Sequence, residues 1–249
     1  MTALPLLAAA GFVAGSMNAV AGGGSFVSLP ALVFAGLPSN IANASSTVAL
    51  LPASLASAFA YRKDARPLEN VPIPLFLAIS VAGGLVGALL LIRTPTAAFD
   101  RLVPWLLLVA TLAFTFGGKI GSALRARYRI GQGVMAPIQA GLSIYGGYFG
   151  GGVGIMMLAA WSLLIHADLR ALNPVRTLMV SACNATAVVA FVIAGQVRWP
   201  ETLALMAGAV AGGYLGAELA RRLPPPVLRG LIIAIASLMT AVFFVRAFR

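Results

Sequence analysis

The chain has 249 residues, of which 60% are hydrophobic and only 9% charged, with a mean hydropathy of +0.97. Soluble domains run nearer half apolar and a quarter charged, so this composition excludes an ordinary soluble domain and indicates segments solvated by lipid. The net charge of +11 does not indicate nucleic acid, because the basic residues form no single face and are not interleaved with aromatics. One cysteine, Cys183, and one histidine give no support to disulfide, redox or metal chemistry, and no cofactor is expected.

The first apolar segment covers about residues 3–20. Ala19-Val20-Ala21 looks like a signal-peptidase site, but no basic region precedes it, and the same glycine pattern returns near residues 141–154. Residues 3–21 are therefore expected in the mature protein. Further apolar segments are predicted at about 25–37, 41–61, 70–92 and 102–118, then 134–149, 153–165, 174–195, 202–220 and 228–246. Arg62-Lys63-Asp64-Ala65-Arg66, the stretch from Arg93 to Arg101 and Pro224-Pro225-Pro226 separate them. Three regions follow: a first transmembrane repeat at 1–118, a basic cytoplasmic linker at 119–133 and a second repeat at 134–249.

The duplication is read from ordered glycines. At an offset of 130, Gly11 matches Gly141, Gly22 matches Gly152, Gly24 matches Gly154, Asn43 matches Asn173 and Thr47 matches Thr177. At 129, the run from Ala82 to Ala88 matches that from Ala211 to Ala217 at five of seven positions. Arg101 and Arg229 are expected to begin the last helix of each half. The first two segments of each half are too short for two full spans of about 20 residues, so half-helices or re-entrant segments are expected beside the glycine breaks. The fold class is an all-α integral membrane protein with about 8–10 membrane segments in two homologous halves. An odd net number of crossings per half makes the halves inverted repeats. One re-entrant segment per pair would make them parallel instead, and both readings stand at this point.

Loop charge sets an orientation. In the inverted arrangement, twelve of the 17 basic residues fall on one side and five (Arg93, Arg101, Arg198, Arg246 and Arg249) on the other. The richer side is expected to be cytoplasmic, with both termini periplasmic in a bacterial inner membrane.

Two constellations are candidate substrate sites. The first is the glycine breaks: Gly22, Gly23, Gly24 and Ser25, and, in the second half, Gly151, Gly152 and Gly154. Glycine breaks at matching places in two halves point to a transporter's binding site, and backbone N–H groups at a half-helix start hold anions. Close helix packing through small residues is the competing explanation. The second is Asn43, Ser46 and Thr47 with Asn173, Arg176 and Thr177, expected to open two long helices and face the glycine break of the same half. Arg176 can neutralise an anion or simply snorkel at an interface. Asn18 and Asn184 are further candidates, with interhelical bonding as the alternative. Glu218 reads as a helix-end partner of Arg221 and Arg222 more readily than as a proton relay. Trp105, Trp161 and Trp199 are expected at membrane interfaces, and the Gly83-Gly84/Gly87 and Gly212-Gly213/Gly216 stripes at helix contacts.

These residues carry a resemblance. Gly11-Phe12-Val13-Ala14-Gly15, Gly22-Gly23-Gly24, Pro30, the run Ala42-Asn43-Ala44-Ser45-Ser46-Thr47, Tyr61-Arg62-Lys63-Asp64, and Gly147 with Gly150 to Gly154 are similar to the TauE/SafE family of sulfite exporters and related anion permeases. The resemblance covers essentially the whole chain. It implies an inner-membrane permease for small, often sulfur-containing anions such as sulfite and organic sulfonates. The chain departs from internal symmetry where Pro174 and Arg176 stand against Ala44 and Ser46. The expected partners are a small anion and the lipid bilayer, with no nucleic acid and with homo-oligomerisation left open. An anion channel and a non-transporting membrane scaffold are the alternatives. An enzyme is not expected, because no nucleophile–base pair or acid pair is evident.

Overall fold

A computed structural model describes residues 3–61, 72–127, 134–164, 169–222 and 225–248. These form ten helices: α1 (Ala3–Ala21), α2 (Ser25–Phe34), α3 (Ser39–Tyr61), α4 (Ile73–Arg93), α5 (Thr96–Arg127), α6 (Met135–Tyr148), α7 (Val153–Leu164), α8 (Leu169–Ile193), α9 (Trp199–Arg222) and α10 (Pro225–Phe248). Each coincides with one of the ten apolar segments. By length and composition, four stretches among the described residues are able to cross a membrane: Ile73–Arg93, Thr96–Gly117, Pro174–Ile193 and Gly230–Phe248. The 21-residue α4 is about 31 Å long at 1.5 Å per residue, matching a hydrocarbon core of about 30 Å. The 10-residue α2 and 12-residue α7 reach only about half that depth.

Five helix boundaries differ from expectation. α3 begins at Ser39 and α8 at Leu169, so Asn43 and Asn173 are not N-caps and Pro174 lies inside its helix. Arg101 and Arg229 lie inside helices that start at Thr96 and Pro225; Pro225 and Pro226 fill a first turn, where a missing N–H costs least. α5 also continues into the basic stretch, through Arg127.

Polar side chains survive in these helices by bonding back to their own backbone. Thr47, Ser80, Thr111, Ser143 and Thr240 each donate to the carbonyl four residues earlier, at 2.7–2.9 Å.

The halves exchange partners. α1 packs along α9 and α6 along α4, each pair parallel. In the α1–α9 seam, a Cβ on Gly11 would overlap the Leu205 carbonyl, and one on Gly15 the Ala209 carbonyl. Gly208 meets the Ala8 carbonyl and Gly212 the Phe12 carbonyl in the same way. In the α4–α6 seam, Gly83 abuts Ser143, Gly87 the Ile144 carbonyl and Gly147 the Gly84 carbonyl. Gly83, Gly84, Gly87, Gly212 and Gly213 therefore line packing surfaces, as expected, while the surroundings of Gly216 lie outside those described.

Equivalent helices cross in opposite directions. Along α3, Ser45 Oγ accepts from Arg198 N–H (3.1 Å) just beyond α8, and the Ser54 carbonyl accepts from Ser181 Oγ (3.1 Å) in mid-α8. Between α5 and α10, Trp105 meets Phe244 (ring centroids 5.1 Å) and Thr111 meets Thr240 (Oγ–Oγ 3.2 Å). Thr111 and Thr240 are 129 residues apart, so a residue touches its own repeat equivalent.

Candidate functional site

Each half folds as a helix, a glycine break and a returning half-helix. Gly22 and Gly152, matched by the repeat, have φ of 73° and 72°, and Gly150 has 74°. Side chains strain this left-handed region, which explains the glycines there. Two residues on from the first bend, a Cβ at Gly24 would stand 2.5 Å from the Ala14 carbonyl, so α2 folds back against α1. Short or re-entrant half-helices at the breaks are thus observed.

Breaking a helix frees backbone groups. Phe26, Val27 and Ser28 N–H groups donate to Gly23 or Gly24 carbonyls, and Ile155 and Met156 to Gly152. Among the described residues, the N–H groups of Gly23, Gly24 and Ser25 have no backbone acceptor, nor do those of Gly151, Gly152, Val153 and Gly154. No side chain caps α2. Donors of this kind inside a membrane protein need a polar partner from protein, water or ligand.

The second break also carries a cation. Arg176 Nη1 lies 3.1 Å from the position a Cβ on Gly154 would take, and Nη2 donates to Thr177 Oγ1 at 3.2 Å. Half-buried Arg176 and buried Thr177 thus stand over the start of α7 with the amides of Gly151, Gly152 and Gly154. Guanidinium and helix N-terminus both favour an anion.

Asn43 and Thr47 are contributed from across the molecule. Asn43 Nδ2 donates to the Tyr148 carbonyl at 3.0 Å, and Thr47 Oγ1 lies 3.4 Å from a Cβ position on Gly150. They face the break of the opposite half, which corrects the same-half expectation. The exchanged packing accounts for this: α3 crosses α8 and so meets the end of α6. The Phe26 ring joins the two breaks, 3.4 Å from a Gly23 Cβ position and 3.8 Å from that of Gly152.

The remaining candidates are arranged differently. Ser46, the repeat equivalent of Arg176, is bonded to Ser28 (Oγ–Oγ 2.6 Å), and Ser28 donates to the Gly24 carbonyl at 3.1 Å. Asn18 Nδ2 donates to Ser54 Oγ at 3.5 Å, a link between α1 and α3. Asn184 Oδ1 is buried without a hydrogen-bond partner among the described residues. Gly22 is surrounded by open space, and Ser25 is partly buried. The side chains of Asn173, Glu218, Arg221 and Arg222, and residues His166 and Asp168, lie outside those described.

A second polar cluster escaped the sequence reading. Fully buried Gln139 donates from Nε2 to Ser80 Oγ (2.9 Å), and its Oε1 accepts from Trp161 Nε1 (2.9 Å). Trp161 is therefore a core residue, not a belt tryptophan; its indole N–H finds its acceptor on α6. Trp105 and Trp199 are exposed, as interface residues should be. Tyr145 OH lies 3.0 Å from the Gly151 carbonyl and 3.2 Å from that of Leu106, pinning the second break to α5. Gln139 had the signature of Asn18 and Asn184, a lone amide in an apolar run. Tyr145 carried no comparable signal.

Paired glycine breaks, half-helices and apolar helices define a multi-pass helical membrane transporter. The chain belongs to the sulfite exporter TauE/SafE family, whose family model matches residues 7–243. It is 30% identical over 243 residues to a "Probable membrane transporter protein" of Haemophilus influenzae, covering 96% of this chain and 93% of that one. It is 24% identical to the "Probable membrane transporter protein YfcA" of Escherichia coli K12 over 92% of this chain and 85% of the relative. A "Probable membrane transporter protein ORF9" of a Sinorhizobium species is 25% identical over 94% and 89%. No solved structure matches the chain.

Proposed function

We propose that this transporter is a permease for small anions, with sulfite and organic sulfonates as the leading substrates, working by alternating access. The supporting observation is the head of α7, where Arg176 stands against Gly154 beside four successive amides without backbone acceptors. Sulfite and sulfonate groups each offer three acceptor oxygens on one charged centre, which suits converging N–H groups and a planar guanidinium. Sulfur enters through the family alone. A channel would use the same donors; saturation of flux separates the two.

We read the halves as inverted. The opposite directions of α3 and α8, and of α5 and α10, support this, since parallel repeats would bring equivalent helices together head to head. The charge bias then puts both termini on the periplasmic face of a bacterial inner membrane.

The test is uptake of sulfite and alkylsulfonates into liposomes holding the purified protein. Arg176→Ala should raise the half-saturation concentration about 10- to 100-fold, from a charge-assisted bond of about 1.5–3 kcal/mol. Gly23→Leu should press on Phe26 and abolish uptake. Saturable flux unchanged in both folded variants would refute the site.

A further inference from the structure

The packing divides this molecule in a way its sequence does not. α1, α2 and α3 associate with α9 of the other half, and α10 joins them at α2 while also lying along α5. Gly11, Gly15, Gly208 and Gly212 bring α1 and α9 into backbone contact. A Cβ on Gly213 of α9 would lie 3.8 Å from Ala53 Cβ of α3, and one on Gly23 would lie 3.8 Å from Ile232 of α10. The segment α4 to α8 makes a second bundle. Gly83, Gly87 and Gly147 join α4 to α6, Gly84 meets the Cys183 carbonyl of α8, and a Cβ on Gly117 of α5 would stand 3.1 Å from Ala159 Cβ of α7. Gln139 and Trp161 fasten α6, α7 and α4 together through hydrogen bonds.

Between the bundles no such glycine seam is found among the described residues. α3 crosses α8, and α5 lies along α10, through side chains: those of the shared apolar core, such as Phe26, Leu107 and Ile232, and polar ones such as Thr111 with Thr240 and Ser181 with the Ser54 carbonyl. Asn43 reaches from the first bundle to the Tyr148 carbonyl at the second break. Backbone-to-backbone seams resist sliding, because any shift separates many close contacts at once. Side-chain contacts without a backbone overlap can be exchanged by small rotamer changes.

We propose that the bodies which move during transport are these two exchanged bundles, α1–α3 with α9–α10 against α4–α8, and not the two repeats. The Asn43–Tyr148 hydrogen bond is the latch between them. This rests on the alternating-access reading. It assigns α1–α9 and α4–α6, which join opposite repeats, to the interior of rigid bodies.

Engineered disulfides test it in a Cys183→Ser background. A53C/G213C and G117C/A159C each link opposite repeats within one bundle, at spacings a disulfide can bridge with little or modest movement. T111C/T240C links the bundles. With the links closed, the first two should keep at least about half of their reduced-state sulfite flux, and the third should lose about tenfold or more. Loss of flux in either within-bundle variant would overturn the proposal, as would full flux with T111C/T240C closed. A distance measurement reads the division without transport. Spin labels at exposed Leu6 and Leu203, within one bundle, should give one narrow separation, and labels at Leu203 and Leu75, in opposite bundles, two. Two separations for the first pair, or one narrow separation for both, would overturn it. A reduced protein without flux would refute the transport reading alone, leaving these distances to decide the division.

Discussion

Gly212→Ala places a methyl group in the tightest seam of the molecule. The added carbon would overlap the Phe12 carbonyl and stand 2.7 Å from Phe12 Cα. Carbon atoms in good contact lie about 3.5–4.0 Å apart, so α1 must retreat by about 1 Å. No rotamer change relieves this, because the opposing atoms are backbone. The retreat also loosens the contacts at Gly11, Gly15 and Gly208, and stretches the 3.0 Å bond from Ser16 Oγ to the Gly212 carbonyl. Overpacking of this type costs about 1–3 kcal/mol. The better helix propensity of alanine returns up to about 1 kcal/mol, leaving a net loss of roughly 1–2 kcal/mol. Gly141 provides the control, since a Cβ there meets nothing within 4 Å. Gly141→Ala should be neutral or slightly stabilising. Thermal unfolding of both variants in one detergent measures the contrast, a lowering of a few degrees against no lowering. Equal midpoints, or a less stable Gly141→Ala, would refute the close-packed seam.

Other substitutions probe separate parts of the argument. Gln139→Leu leaves the buried Trp161 N–H without its acceptor and should cost about 1–2 kcal/mol, visible as a lower unfolding midpoint and altered tryptophan emission. Tyr145→Phe removes the hydroxyl bridging the Gly151 and Leu106 carbonyls. At about 1 kcal/mol, its expected effect is a roughly fivefold higher half-saturation concentration with an unchanged maximal rate; a fall in maximal rate alone would point away from a positioning role. Alkaline phosphatase fused after Arg249 should be active in cells and, fused after Arg127, inactive. The reverse pattern would overturn the assigned orientation.

Much of the architecture was legible because lipid imposes a simple code. Ten apolar runs gave ten helices, and glycines at Gly22 and Gly152 marked the breaks, since few other residues hold that backbone. Helix starts were less legible. Asn43 and Pro174 look like an N-cap and a first-turn proline, yet Ser39 and Leu169 begin those helices, because tertiary packing overrides a local capping signal. Arg176 could be singled out as a charge inside an apolar run, and it does lie at the glycine break. The exchange of partners was not legible. That Asn43 serves the opposite break, or that Trp161 meets Gln139, depends on which helices lie side by side, and periodicity records only which face of each helix is apolar.

The two halves agree at the matched glycine turn and differ in the side chains around it. The repeat retains glycine at the matched turn, Gly22 and Gly152, but not at Gly150, whose equivalent is Val20. It does not retain Arg176, whose equivalent Ser46 is occupied with Ser28. Nor does it retain the Gln139–Trp161 fastening, whose equivalents Ala9 and Ala31 have no polar group to offer. Both differences strengthen the same half-helix hairpin. The charged break is thus also the braced one, pinned by Gln139, Trp161 and Tyr145 within the α4–α8 bundle. If the proposed transport cycle holds, a bound anion stays with that bundle, held by Arg176 and the α7 amides, while the other bundle carries Asn43 and Thr47 toward it and away. On the proposed reading, the matched glycines shape both hairpins alike, and the side chains decide which bundle keeps the charge.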